Sequence, residues 1–298
     1  MKQPFPAADL KDALERALGF GLASLERLDG ASALNFKAVR ETDSLAFAVK
    51  CTPPARRDAY LRLLRHLEET RGTKAVRRLF EKECPAEFRG YLLVCLSWCE
   101  GVRLFPDELS SEQFAAFLKE YLAFSAAMQK ATMIAPPDPI AAWRAAAAGC
   151  RGFFAAPIRR LAEREMPADE TAYRPERLGV IHGDFHHGNF LFVDGRLSGF
   201  FDLEEFCGGY PADDIVRYFV CAAEHLRWYE WCRRRALVAR FSEAVRLLPY
   251  PAGDWRTAVN GLLARKIYMK LRDRGPGFFQ TLNLLYRSRF YIALKRRV

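Results

Sequence analysis

Apolar positions change period several times along the first hundred residues. Residues 8–18 repeat at helical spacing and predict a short helix. In SLERLDGASALNFKAVRE and SLAFAVKC, apolar and polar residues alternate with turn residues between them, as strands require. Leucines return at helical spacing in RRDAYLRLLRHLEETRG, which closes on a glycine. GYLLVCLSWCEG is a continuous apolar run and reads as a buried strand ending in a turn. That order predicts a small α+β lobe.

Beyond it the period turns helical. SSEQFAAFLKEYLAFSAAMQKA opens on a serine suited to an N-cap, and MIAPPDPIAAW is a proline-rich break. Helical runs return near 141–165, 213–247 and 256–272. Only LGVIHGDFHHGNFLFVDGRLSGFFDLEEF interrupts them, as short strands around turns. The expected organisation is a β-rich lobe over 1–99 and a mostly helical lobe over 100–298.

Composition adds two points. The chain has 298 residues, half of them hydrophobic and 28% charged, which fits a folded chain and excludes disorder. No apolar run reaches the roughly 18 residues of a membrane-spanning helix. The segment MKQPFPAADLKDALERALGF carries acids where a signal peptide has an apolar core, so a cytoplasmic location is expected. Eight cysteines are scattered without a CxxC pair, which argues for free thiols over a zinc ribbon or a disulfide scaffold.

Charge is unevenly placed. Residues 256–298 hold eleven Lys or Arg and one acid, Asp273, and carry the whole net charge of +10. This basic tail is either a solvated helix face or a patch that meets an anion: a phosphorylated sugar, a membrane surface or nucleic acid. Its last run, GFFQTLNLLYRSRFYIALKRRV, mixes apolar positions with Arg287, Arg289, Lys295, Arg296 and Arg297. That pattern suits either an amphipathic helix on an anionic membrane or a core helix with cationic edges. No nucleic-acid-binding module is recognisable, so no such partner is expected.

Candidate chemistry concentrates in VIHGDFHHGNFLF, residues 180–192. Three readings compete. His182, Asp184, His186 and His187 form a potential metal set, although the two other histidines, His66 and His225, fall within helical runs. Gly183 and Gly188 fit a plain polar turn. Phosphoryl transfer requires an aspartate at the acceptor hydroxyl and an Asn and a second Asp for metal, in the pattern H-x-D-x-x-x-x-N followed by a further acidic motif. Here His182, Asp184 and Asn189 keep that spacing, and Asp202 follows in FFDLEEF. A two-residue hairpin turn at Asp194-Gly195 is expected to bring Asn189 and Asp202 side by side.

HGDFHHGNFLF and FFDLEEF together resemble the aminoglycoside phosphotransferase and choline kinase group, small-molecule kinases with a protein-kinase-like, two-lobed α+β fold. DLE fits that group's D-x-[DE] metal motif. LDGASALNFKAV resembles its phosphate-covering hairpin, AFAVKC its lysine strand, LVCLSWCEG the strand entering its adenine hinge, and GYPADDIVRYF the start of its bracing helix. The resemblance implies ATP, or GTP in its place, with Mg²⁺. It implies Asp184 as catalytic base or orienter, and Asn189, Asp202 and Glu204 as metal donors. Lys50 and Ser32 would meet the phosphates, and Trp98 and Cys99 the nucleotide at the hinge. His182 and Asp214 would support the loop. Among acids of the following helix, Glu68 shares a face with Leu61 and Leu64 and is the expected partner of Lys50.

The acceptor is expected to be a small molecule or saccharide. Cationic antibiotics call for an acidic cleft. The sequence offers Glu100, Asp107 and Glu108 near the hinge but ends in the basic tail, which favours an anionic acceptor. One alternative is a kinase of lipopolysaccharide-core sugars, peripheral at the inner membrane face through the tail. Another is a nucleotide-binding pseudokinase, although a scaffold needs none of Lys50, Asp184, Asn189 and Asp202.

Overall fold

The structure, a computed structural model, describes all residues except 1–4, 29–33, 54–56, 71, 81–85, 132–154, 166–173, 175–176, 228 and 275–277, and leaves out the side chains of 57, 155, 162 and 268–282. Two compact units divide the chain: residues 1–101 with 198–204, and 102–197 with 205–298.

The first unit is built on a five-stranded antiparallel sheet in the order β1 (Leu22–Arg27), β2 (Leu34–Arg40), β3 (Ala46–Thr52), β5 (Tyr91–Ser97), β4 (Ala86–Phe88). The short edge strand β4 adds to the strands read from the sequence pattern. Helix α1 (Ala7–Leu18) lays Leu10, Leu14 and Leu18 on one face of the sheet, where they meet Phe36, Phe47, Val49 and Cys51. Gly19, at φ +72°, closes α1 in the left-handed conformation that a side chain resists. Side chains alternate across a strand, so with Val49 and Cys51 in this core, Lys50 and Thr52 lie on the opposite face. On that face Lys50 meets the ring of Tyr60 from α2 (Arg57–Glu69).

In the second unit, α3 (Ser111–Gln129) starts at Ser110, whose hydroxyl accepts from the Gln113 amide while the Gln113 side chain accepts from the Ser110 amide. Of the run expected near 141–165, only α4 (Ala155–Glu165) falls within the described residues; 141–154 and the proline-rich break lie outside them. Strands β6 (Gly179–Ile181), β7 (Phe190–Val193) and β9 (Cys207–Gly209) frame the loop motif, β6 pairs antiparallel with β9, and β8 (Arg196–Phe200) leads the chain from the second unit into the first. The expected single run 213–247 is two helices, α5 (Pro211–His225) and α6 (Trp231–Leu247). The chain breaks between them because Leu226 is extended and the Glu230 carboxylate accepts the Arg227 amide at 2.6 Å. Helices α7 (Ala252–Arg274) and α8 (Phe278–Lys295) complete the unit. Helix α8 buries Leu284, Phe290, Tyr291 and Leu294, so the basic tail contributes to the core.

Candidate active site

Lys50 anchors the site residues of the first unit. Its side chain is only 5% exposed, and its ammonium contacts Asp202 and lies 3.3 Å from Glu204 Oε2. The Thr52 hydroxyl donates to Glu204 Oε1 at 2.8 Å. Both acids follow β8: Asp202 at φ +60°, a left-handed conformation that aspartate tolerates better than most residues, and Glu204 in a 3-10 turn over Leu203–Glu205. A buried ammonium is costly without a counter-charge, and two carboxylates provide it here. Tyr60 lies beneath, its ring centre 5.8 Å from the ammonium and its hydroxyl without a hydrogen-bond partner among the described residues. Burial, then the charges of Glu204 and Asp202, push its phenol well above the ordinary tyrosine range.

The expected pairing of Lys50 with Glu68 is corrected by this geometry. Glu68 receives Arg78: the backbone amide at 2.7 Å, Nε at 3.0 Å and Nη2 at 2.6 Å. A bidentate guanidinium plus an amide saturates both carboxylate oxygens. Trp98 and Cys99 follow β5. The Lys37 ammonium lies 4.8 Å from the Trp98 ring centre, and a Cβ on Gly199 would stand 2.5 Å from Cys99 Sγ. Burial pushes the Cys99 thiol up to about 11, so it is a neutral packing group. Ser32 lies outside the described residues.

The second unit holds the loop 182–189, pinned by its own aromatic residues. Phe185 follows Asp184 and Phe190 follows Asn189; both are fully buried, 4.8 Å apart, against Phe117, Tyr121 and Tyr218. Each such ring contributes about 1.5–3 kcal/mol by leaving water, so the polar residues are held by their apolar neighbours. Asp214, in the first turn of α5, accepts the amides of His182 at 2.9 Å and Gly183 at 3.0 Å. Gly183, at φ +77°, leaves no room for a side chain: a Cβ would meet the Glu205 carbonyl oxygen at 2.1 Å. Burial pushes the Asp214 carboxyl up to about 7 against the two amide bonds. His182 is fully buried, and its Nδ1 accepts the Asp184 amide at 3.3 Å.

Asp184 itself is partly open and held from two sides. Arg217 Nη1 lies 3.1 Å from Oδ1, and His186 Nε2 lies 3.3 Å from Oδ2. The His186 Nδ1 accepts the Gly188 amide at 2.9 Å, which leaves the proton on Nε2, directed at the carboxylate. Burial opposes the charge on Asp184, but His186, Arg217 and His182 outweigh it and hold the carboxyl at about 2. Asn189 Nδ2 donates to the Asp184 carbonyl oxygen at 2.8 Å. His187 packs on Phe105 and His225, with ring centres 4.3 Å and 4.5 Å away.

Three partners were not singled out from sequence. Arg217 is one helical turn from Asp214, a spacing that puts both on one face of α5. Thr52 is one strand period from Lys50. Tyr60 carries no sequence signal beyond apolar periodicity.

The sequence model described as "Phosphotransferase enzyme family" matches residues 24–257. A search of curated protein sequences finds no match. Among solved structures, the fold is similar to amicoumacin kinase hAmiN in complex with AMP-PNP, Ca²⁺ and Ami, at a TM-score of 0.63 and 13% identity, covering 90% of this chain and 88% of that one. Spectinomycin phosphotransferase APH(9)-Ia in complex with ADP and spectinomycin is similar at 0.63 and 13%, covering 99% and 95%. Macrolide 2'-phosphotransferase MphH from Brachybacterium faecium is similar at 0.61 and 16%, covering 97% of each chain.

Proposed function

The chain belongs to the phosphotransferase enzyme family, and on that footing we propose that it transfers the γ-phosphoryl group of ATP to a hydroxyl of a small molecule or saccharide. The observation that carries the proposal is Asp184, kept ionised by Arg217 and His186 on a loop that Asp214 and two buried phenylalanines fix. A carboxylate held at about 2 accepts a hydrogen bond from an acceptor hydroxyl at neutral pH and aligns its oxygen for attack. Its low basicity makes it an orienting group first and a proton acceptor only as the hydroxyl loses its proton.

Nucleotide phosphates are assigned to Lys50 and Ser32, and the nucleotide base to the segment of Trp98 and Cys99. Magnesium takes one or two carboxylates, keeps several waters and completes its shell with phosphate oxygens. Asp202 and Glu204 fit that partial set: both are hard oxygen donors already gathered on one ammonium. Asn189 keeps its assignment as a further oxygen donor. The metal, when bound, neutralises charge developing on the phosphoryl oxygens.

We place the enzyme in the cytoplasm. Among the described residues no helix is long and apolar enough to cross a membrane. The acceptor is proposed to be anionic, in keeping with the basic tail, and a lipid-linked saccharide at the membrane face is the variant of this reading that the same experiment separates. That experiment transfers label from γ-labelled ATP into a bacterial extract divided into aqueous and lipid fractions, with Asp184→Asn as the blank. Label above the blank in the aqueous fraction identifies a soluble acceptor, and label in the lipid fraction an envelope saccharide. Equal label with wild type and variant removes Asp184 from its role.

A further inference from the structure

The described cations of the tail include two sets that differ in their partners. Those facing α4 and α5 are matched: Lys266 lies 2.5 Å and Arg287 3.6 Å from the Glu224 carboxylate, and the Lys295 ammonium donates to the Glu165 carbonyl oxygen at 2.8 Å. Those facing α6 are not. An open groove of about 650 Å³ runs between α6 and α8, lined by Arg234 and Arg235 of α6, Arg289 of α8 and Arg297 just beyond the end of α8. Among the described residues no Asp or Glu pairs with any of these four arginines.

Two of them are nevertheless fixed in place. The Arg234 guanidinium lies 4.9 Å from the Tyr286 ring centre and donates to the Leu226 carbonyl oxygen at 3.1 Å, while its buried Nε has no hydrogen-bond partner. The Arg235 guanidinium lies 4.7 Å from the Trp231 ring centre. Stacking of this kind positions a guanidinium and leaves its donors available. The greater part of the groove lining is apolar, with Val238 and Phe290 along its floor.

The occupant has to answer both features. An inorganic anion would neutralise the arginines and leave the floor wet. A neutral hydrocarbon would cover the floor and strip water from the four cations without replacing it. The volume falls in the range of small-molecule sites, about 300–1,000 Å³. We propose that the groove between α6 and α8 binds an anionic amphiphile, a phosphate head held by the arginines and an alkyl chain laid on Val238 and Phe290. This goes beyond the phosphotransferase reading and uses none of the residues assigned there to the acceptor hydroxyl, the nucleotide or the metal.

Dodecyl phosphate, titrated into the full chain below its micelle-forming concentration and followed by calorimetry, tests it. Saturable binding of one molecule per chain is expected. The double variant Arg234→Gln/Arg289→Gln should weaken it by at least about tenfold, the loss of charge-assisted contacts. Val238→Asp, which charges the floor, should do the same. Unchanged melting temperature and unchanged ATP binding would show that both variants are folded. Inorganic phosphate, and a dodecyl chain on a neutral maltose head, should each bind at least about tenfold more weakly than dodecyl phosphate. Equal affinity for inorganic phosphate would reduce the groove to an anion patch. Equal affinity for the neutral detergent, or an unweakened double variant, would also overturn the proposal. So would flotation of the wild type on phosphatidylglycerol vesicles without binding of the monomeric amphiphile, which would make the arginines a membrane-facing patch.

Discussion

Arg217 Nη1 lies 3.1 Å from Asp184 Oδ1, and Arg217 stands one turn along α5 from Asp214, whose carboxylate holds the amides of His182 and Gly183. One short helical segment therefore sets both the backbone of the loop and the direction of its partly open carboxylate. A chain that needs an aspartate aimed at an acceptor gains from having both constraints on one rigid element.

Arg217→Met removes one of the two restraints on Asp184. The rate of phosphoryl transfer should fall about 10- to 100-fold while ATP affinity stays within about twofold, the signature of a lost orientation. With a cation gone, the Asp184 carboxyl should titrate above its present value of about 2, and the acid limb of the pH–rate profile should move up. Arg217→Lys should restore part of the rate. A purely structural role would lower the rate without moving the limb.

The carboxylates that serve Lys50 come from Asp202 and Glu204, with Glu68 committed to Arg78. Glu68→Gln should therefore leave ATP affinity unchanged and lower the unfolding free energy by about 1–3 kcal/mol, since a partly buried ion pair loses its charge. Glu204→Gln should weaken Mg²⁺-dependent ATP binding by about tenfold, one charged contact. Calorimetric titration and urea denaturation of the two variants measure the contrast, and a drop in ATP affinity for Glu68→Gln alone would reverse the assignment.

Asp214→Ala should cost about 2–4 kcal/mol, because two buried amides lose their carboxyl acceptor. Its titration also has a sign. The folded carboxyl is raised to about 7 from 3.8, so between these values the folded chain keeps a proton that the unfolded chain has released, and this group's contribution falls as pH rises through the window. Denaturation midpoints of wild type and variant, taken from pH 4 to 7, should converge towards pH 7.

Much of this arrangement was legible in residue order. The hairpin turn was, since Asp194 at φ +50° and Gly195 at φ +73° adopt the paired positive values of a type I′ turn between β7 and β8. So was the start of α3 at Ser110, a local hydrogen-bond pattern. Arg217 was not, because its partner lies 33 residues away and only the docking of the loop on α5 joins them. Glu68 illustrates the opposite error. Periodicity assigns a residue to a face of α2, but which cation reaches that face is decided by the chain that follows the helix, here Arg78. The tail was legible as basic and amphipathic, whereas the division of its charges between Glu224 and the groove depends on how α8 is rotated against α5 and α6.

His187 is 9% exposed, packed on Phe105 and His225, and its Nδ1 has no hydrogen-bond partner among the described residues. Burial first, then the charges of His225, His186 and Arg103, lower its pKa from 6.5 to about 4. In the window between those values the unfolded chain binds a proton that the folded chain refuses. The contribution of this group is therefore fully present above pH 6.5 and is lost as pH falls towards 4. Asp214 acts with the opposite sign over much of the same range, so the wild-type profile alone does not separate them. The difference between wild type and His187→Phe does. Phenylalanine fills the site next to Phe105 without a proton to take up, and the variant should gain stability relative to wild type as the pH is lowered from 6.5 to 4. Urea midpoints of the two proteins at half-unit pH steps measure this. A constant difference across the window would mean that His187 takes up its proton as readily in the folded chain as in the unfolded one.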